Sequence, residues 1–431
     1  MNPRDRQILQ IAVPMIVSNI TVPLLGLVDV AIVGHMGSAV YIGAVAVGSM
    51  IFNLTYWLFG FLRMGTSGMT AQAMGRRDLG DVTRILVRSA TLAVGIAALL
   101  IVLQTPLRWL MFWLIKPTED VAPLAATYFR IVIWGAPASL TLFCLTGWYI
   151  GMQNTRFPMF VSIMQNMVNI GASLTLVYGL GMKIEGVALG TVIAQYVGLL
   201  MAVGLLVRYY GRLFRGRRRS AGHRGGDGFA VNRDIFLRTV CLVAVNLYFT
   251  AAGAQQGAVI LSVNTVMLQL FLFFSYFMDG FAYAGEAMGG HFHGARNDAA
   301  FNETVRRLFG WALIVTTAFT LLYTVGSMDI VRLLTDEPQV HAAAHDYIWW
   351  IWLVPAASAT AFIWDGIFVG ITATRGMLLA TFVATVTFGA VYLLTKDYIG
   401  NDGLWLAQVT YLAMRGIVQT IWYRLRIINA R

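Results

Sequence analysis

Gly151-Met152-Gln153-Asn154-Thr155-Arg156 returns 219 positions later as Gly370-Ile371-Thr372-Ala373-Thr374-Arg375. The same displacement lays Gly147 on Gly366, Ser139 on Ser358, Tyr128 on Tyr347, Gly75 on Gly294, Arg77 on Arg296 and Gln72 on His291. A single displacement of half the chain that matches glycines, arginines and hydroxyl residues marks a duplicated unit. Chance likeness between apolar texts would not keep one offset.

Composition says what each unit is made of. Of 431 residues, 58% are hydrophobic and 12% charged, whereas soluble domains carry about 25% charged residues. Apolar stretches long enough to cross a ~30 Å hydrocarbon layer, about 20 residues each, recur from end to end. The pattern predicts spans at Ile8 to Gly34, Tyr41 to Met64, Leu86 to Leu103, Ala122 to Gly151, Phe157 to Tyr178 and Gly186 to Val207. A second set follows at Ile235 to Ala254, Val259 to Ala284, Val305 to Gly326, Asp346 to Gly370, Met377 to Leu394 and Gly403 to Tyr423. The fold class is therefore an all-α polytopic membrane protein of twelve transmembrane helices. Residues 1–207 form a first six-helix lobe, 208–234 a linker rich in Arg and Gly, and 235–431 a second lobe.

Charge placement orients the chain. The arginines of the amino terminus, of the joints at Arg76 and Arg77, Arg156, Arg296, Arg306 and Arg307, and Arg375, of the linker and of the carboxyl terminus fall on one side. The other side has Arg108, Lys116, Lys183, Arg332 and Lys396, beside Glu119, Asp120, Asp336 and Glu337. By the positive-inside rule both termini and the linker are expected in the cytoplasm; the expected location is a bacterial inner membrane. The net charge of +11 is explained by this topology, and no nucleic-acid partner is expected. Each half has an even number of spans, so the halves are parallel repeats related by a pseudo-two-fold axis along the membrane normal, a geometry that places a cavity between two lobes. The chain is expected to act as a monomer in the lipid bilayer.

The residues that bear chemistry are few. Cys144 and Cys241 sit in apolar segments and read as buried small hydrophobes. The three lysines follow no phosphate-binding glycine pattern, so ATP hydrolysis is not expected. His341 with His345, and His291 with His293, read as helix ends, and no metal, cofactor or nucleophile–base pair is expected. Ionisable residues at membrane depth are functional candidates because they are costly there; they are Asp29, Arg63, Arg130, Asp279, Glu286 and Asp365. Acids outnumber bases in this set, which points to cationic cargo, protons or sodium. Asp29 shares its span with Pro14, Pro23 and Gly26, and prolines make a helix bendable at defined points. Sheltering a carboxyl group from water favours its neutral form, so an acid beside a hinge is a candidate proton switch, with a static ion pair as the plainer reading. Asp279, Tyr283 and Glu286 lie at i, i+4 and i+7, on one stripe of the eighth span. For Glu286 contact with headgroups competes with function. Asp365 precedes the packing glycine Gly366 and has an arginine salt bridge as its alternative. Gly147 with Gly151, and Gly366 with Gly370, are small-residue pairs that let helices approach, and packing suffices to explain them. The aromatic run from Phe271 to Met278 suits either an adaptable pocket for flat cations or helix packing.

The stretches PMIVSNITVPLLGLVDVAIVGHMGS (14–38), LRMGTSGMTAQAMGRRD (62–78), YFMDGFAYAGEAMGG (276–290) and WDGIFVGITATR (364–375) resemble the multidrug and toxic compound extrusion (MATE) family, and its DinF-like subgroup in particular. The likeness covers essentially the whole chain. It implies alternating access and antiport of a cation against drug-like, often cationic solutes, and no enzyme activity. It also implies that Asp29 is the protonatable acid of the first lobe, with Asn169, Thr191 and Tyr128 in its polar network. Many relatives carry an aspartate four residues after the asparagine matching Asn169; here that residue is Ser173. The family's sodium-type pattern places acids in the seventh and tenth spans. Asp365 fits the tenth, and the seventh, around Asn246, has none, so the expected coupling ion is H+, with Na+ as the alternative. Asp279, Tyr283, Glu286 and Asp365 are the candidate substrate or cation site of the second lobe. The rival readings are an exporter or flippase of an endogenous metabolite or lipid-linked precursor and, in another class, a non-transporting membrane scaffold.

Overall fold

The computed structural model describes residues 2–35, 38–215 and 228–425, with the side chains of Leu25, Leu27, Asp29, Val30 and Ala39 excepted. Lipid offers no partner for backbone N–H and C=O groups, so a chain this apolar must satisfy them within each segment, and helices do so. Buried hydroxyls follow the same rule. Thr55, Thr66, Thr304 and Thr381 donate to carbonyls one turn back, on Ile51, Leu62, Ala300 and Met377, at 2.6–3.0 Å.

The spanning helices are α1 (Pro3–Gly34), α2 (Val40–Gly75, broken at Phe59 and Gly60), α3 (Leu79–Val102), α4 (Ala122–Gly151), α5 (Arg156–Gly179) and α6 (Ile184–Arg215). They continue as α7 (Gly228–Gln255), α8 (Ala258–Gly294), α9 (Asp298–Leu334) and α10 (Trp349–Gly370). The last helical stretch, Thr374–Tyr423, has 50 residues and a non-helical Gly400 at φ 53°, ψ −120°. At 1.5 Å per residue it is about 75 Å long, more than twice the hydrocarbon thickness. Gly400 therefore divides it into α11 (374–399) and α12 (401–423), which makes twelve spans among the described residues. Several helices outrun the expected apolar windows. The ninth, expected from Val305 to Gly326, runs for 37 residues, because hydropathy sees only the hydrocarbon part while the helix continues to its cap in the headgroup layer. Residues 216–227 of the expected linker lie outside the described residues.

The duplication is visible in the joints. Arg77 and Arg296 both adopt left-handed conformations, at φ 59° and 54°, as do Gln153 and Thr372 at 60° and 54°. The next residue in the first pair of joints caps the following helix: Asp78 accepts from the Asp81 N–H and Asn297 from the Ala300 N–H. Close approaches repeat as well. A Cβ on Gly147 would strike the Arg63 carbonyl, and one on Gly366 the carbonyl of Ala282; Gly151 meets Ser67 as Gly370 meets Glu286. Each of these contacts recurs at the displacement of 219.

By packing, the chain forms two compact units, Val17–Gly226 and Met1–Ile16 with Asp227–Arg431. The first is centred on Phe52, Tyr128 and Phe129, with Phe52 stacked on Phe129 at 5.3 Å. In the second, Phe271, Phe274 and Phe277 of α8 pack on Phe319 and Phe362, so these rings of the aromatic run serve helix packing.

Candidate functional site

In the second unit, one carboxylate gathers side chains from three helices. Tyr411, Arg415 and Gln419 stand at four-residue intervals on α12 and so share a face. Arg238 comes from α7 and Asp365 from α10, one residue before the close approach of Gly366 to α8. Asp365 Oδ2 accepts from the guanidinium groups of both Arg238 and Arg415, and Oδ1 from the Gln419 amide at 2.6 Å. The Arg415 guanidinium also lies over the Tyr411 ring, 5.7 Å from its centre. Arg238, Arg415, Tyr411 and Gln419 are all buried. An isolated charge at this depth is costly, and mutual pairing with full hydrogen bonding is what makes such groups tolerable. Asp279 of α8 lies within electrostatic range of Arg415, so a second predicted acid adds its field to the cluster. The cluster keeps spare hydrogen-bonding capacity: Arg238 Nε, Arg415 Nε, the Tyr411 hydroxyl and Oε1 of Gln419 are buried without a hydrogen-bond partner among the described residues.

Glu286 is 2% exposed and belongs to a π-helical turn, Gly285–Gly289, a distortion often found at functional positions. Its backbone carbonyl meets Gly370. The side chain is thus enclosed by protein. Asp279 and Tyr283 on the same stripe are half-buried.

In the first unit, Asn169 is buried and its Oδ1 accepts from Ser173 Oγ at 3.1 Å. Ser173 is fully buried and packs on Gly190 of α6. Thr191, the next residue of α6, donates to its own helix at the Val187 carbonyl, 3.1 Å away. Tyr128 is buried with its ring over Gly48, in one cluster with Ile32, Val33, Val187 and Ala188. Val28 packs against that cluster, so the turn of α1 carrying Asp29 borders the core that holds Tyr128. The side chain of Asp29 itself lies outside the described residues. Pro14, Pro23 and Gly26 lie within a continuous helix, and a Cβ on Gly26 would meet nothing within 4 Å.

Sequence reading missed Arg238 and Arg415. Both stand inside apolar runs, FLRTVCLVAV (236–245) and YLAMRGIVQT (411–420), and a residue-by-residue search of the windows for charge would have found them. Counting them cancels the excess of acids at membrane depth, and the argument for cationic cargo from that excess falls away.

The MatE family model matches residues 14–175 and 235–394. The chain is 39% identical over 425 residues, 97% of its own length and 92% of the relative's, to DNA damage-inducible protein F of Escherichia coli strain K12. It is 24% identical to Protein DETOXIFICATION 44, chloroplastic, of Arabidopsis thaliana, over 96% of this chain and 81% of that one. Two solved structures share the fold at 18% and 19% identity: a MATE in the bent conformation (TM-score 0.89, 99% of this chain and 96% of that one) and the outward-facing conformation of a multidrug resistance MATE family transporter (TM-score 0.85, 99% and 97%). With its internal duplication and twelve spans, the chain belongs to the MatE family, as a DinF-like, multi-pass membrane transporter of the multidrug-efflux type and not an enzyme.

Proposed function

We propose that the protein is a proton-coupled antiporter that exports hydrophobic, cationic drug-like compounds by alternating access, as a monomer with both termini in the cytoplasm. Asp29 is the exchanging group. An inward-moving proton neutralises it, α1 bends at its prolines, and cargo leaves outward. A membrane potential of 100 mV supplies about 2.3 kcal/mol per charge and one pH unit about 1.4 kcal/mol, enough to bias such a cycle.

The observation that supports protons over sodium is the state of Asp365. Oδ2 accepts from Arg238 and Arg415 and Oδ1 from Gln419, so a sodium ion would gain a carboxylate ligand there only by displacing the Gln419 amide or a guanidinium, and in either case would sit beside two fixed positive charges. Two fixed cations already occupy the place of a mobile one. Exchange then falls to the first unit, where Asn169, Ser173, Thr191 and Tyr128 supply neutral polar groups and Asp29 the acid.

The test is flux in proteoliposomes with imposed proton or sodium gradients and paired cationic and anionic dyes. Asp29→Asn is expected to abolish proton-driven efflux of the cation while the protein stays folded. Normal antiport in that variant, or efflux that follows sodium alone, would refute the assignment; preference for the anionic dye would refute the cargo.

A further inference from the structure

In the second unit, the first turns of α1 and the start of α9 enclose a cleft of about 420 Å³ lined by Asp5, Arg306, Arg307, Gly310, Trp311 and Ile314. Its rim is charged. Arg307 Nη1 and the Trp311 indole N–H both donate to Asp5 at 3.3 Å, and Arg4 pairs with Glu303 at 3.6 Å. Among the charged residues that line the cleft, Arg306 and Arg307 stand against Asp5, so its lining carries a net positive charge. Arg306 is exposed and has no ion pair among the described residues, and Arg307 Nε is buried without a hydrogen-bond partner. Donors therefore remain after the internal pairs are made.

Below the rim the cleft turns apolar. Arg306, Gly310 and Ile314 recur every four residues and form one stripe of α9. Ile314 is 58% exposed and its neighbour Leu313 is 67% exposed, as expected of a surface against lipid tails. A Cβ on Gly310 would meet nothing within 4 Å, so packing does not demand glycine there. Its absence of a side chain leaves a furrow running from the arginines towards Ile314. Trp311 belongs to the residue type enriched where membrane meets water.

We propose that this cleft is a binding site for an anionic phospholipid, with the phosphate on Arg306 and the free N–H groups of Arg307 and one acyl chain in the furrow over Gly310. A soluble phosphate would use the rim and leave the furrow without purpose, whereas a lipid uses both. The lipid would brace the first turn of α1, through Asp5, against α9.

The experiment uses the full chain in detergent, with lipid retention read by native mass spectrometry and thermal unfolding followed on adding phosphatidylglycerol, phosphatidylcholine or soluble glycerol phosphate. Phosphatidylglycerol alone is expected to be retained and to raise the unfolding temperature. Arg306→Gln removes one surface charge and should weaken its binding about fivefold. Gly310→Leu fills the furrow without touching a charge and should weaken it as well. Arg375→Gln, an exposed arginine at the start of α11, should leave binding unchanged. Equal weakening by Arg375→Gln and Arg306→Gln would reduce the effect to diffuse attraction and overturn the site. Stabilisation by glycerol phosphate equal to that by phosphatidylglycerol, or full binding in Gly310→Leu, would overturn the lipid as its occupant.

Discussion

Asp365 holds together two guanidinium groups that otherwise repel each other. A buried ion pair adds little stability over well-packed apolar residues, but removing one partner and stranding the other costs about 3–5 kcal/mol. Asp365→Leu strands both Arg238 and Arg415 and should fall in that range. Arg415→Met still leaves Asp365 with Arg238 and Gln419, so its loss should be smaller. Equilibrium unfolding in detergent micelles reads both, and the reverse order would mean that Asp365 is not the centre of the cluster. The acid was legible in the sequence, since it stands in a long apolar run. Its partners were legible only residue by residue and not in averaged hydropathy, for physical reasons: Arg238 lies three residues inside the expected start of its span and passes for a flanking charge, and the apolar neighbours of Arg415 dilute it in any hydropathy window. Nor does the duplication help, because the displacement of 219 carries Arg238, Asp365 and Arg415 onto Asn19, Thr146 and Tyr196. The cluster belongs to the second half alone.

The helices tell the opposite story, since what the halves share is their framework. Gly147 and Gly366 sit where a Cβ would strike a backbone carbonyl of the partner helix, and a backbone cannot step aside as a side chain can. Overpacking of this kind costs about 1–3 kcal/mol, so Gly147→Ala and Gly366→Ala should each lower stability by a similar amount. Gly389 has nothing within 4 Å of its would-be Cβ, and alanine is the better helix former by about 1 kcal/mol; Gly389→Ala should be neutral or stabilising. Thermal unfolding of the three variants checks this, and a loss in Gly389→Ala matching that in Gly366→Ala would remove the steric argument. The glycine spacing and the number of spans could be read from the sequence because both are periodic. The left-handed turns at Arg77 and Arg296 could not, as arginine carries no signal for that conformation, and only the matched displacement pairs them. Helix ends were the least legible, because the chain stays helical well past the hydrocarbon that hydropathy measures.

For the whole molecule the decisive fact is where one packing unit gives way to the other. A sequence divided by its linker suggests a boundary near residue 208, yet α1 itself is shared: its residues up to Ile16 pack in the second unit and those from Val17 in the first. Pro14 and Pro23 flank that point. Each proline removes an intrahelical hydrogen bond and crowds the carbonyl one turn back, which weakens the helix locally. On the proposed mechanism, the stretch of α1 softened on either side of residue 16 and carrying Asp29 six residues beyond the second proline is where the loss of that charge is turned into bending. Replacing both prolines by alanine restores the missing N–H groups and stiffens this passage. In the Pro14→Ala/Pro23→Ala double variant, efflux from proteoliposomes should slow about tenfold, which corresponds to a barrier higher by about 1.4 kcal/mol. Equilibrium binding of the same dye, read by its fluorescence polarisation, should change little. Turnover unaffected by the stiffened helix would show that α1 does not work by bending at these prolines, while loss of binding in step with turnover would place them at the cargo and not at the hinge.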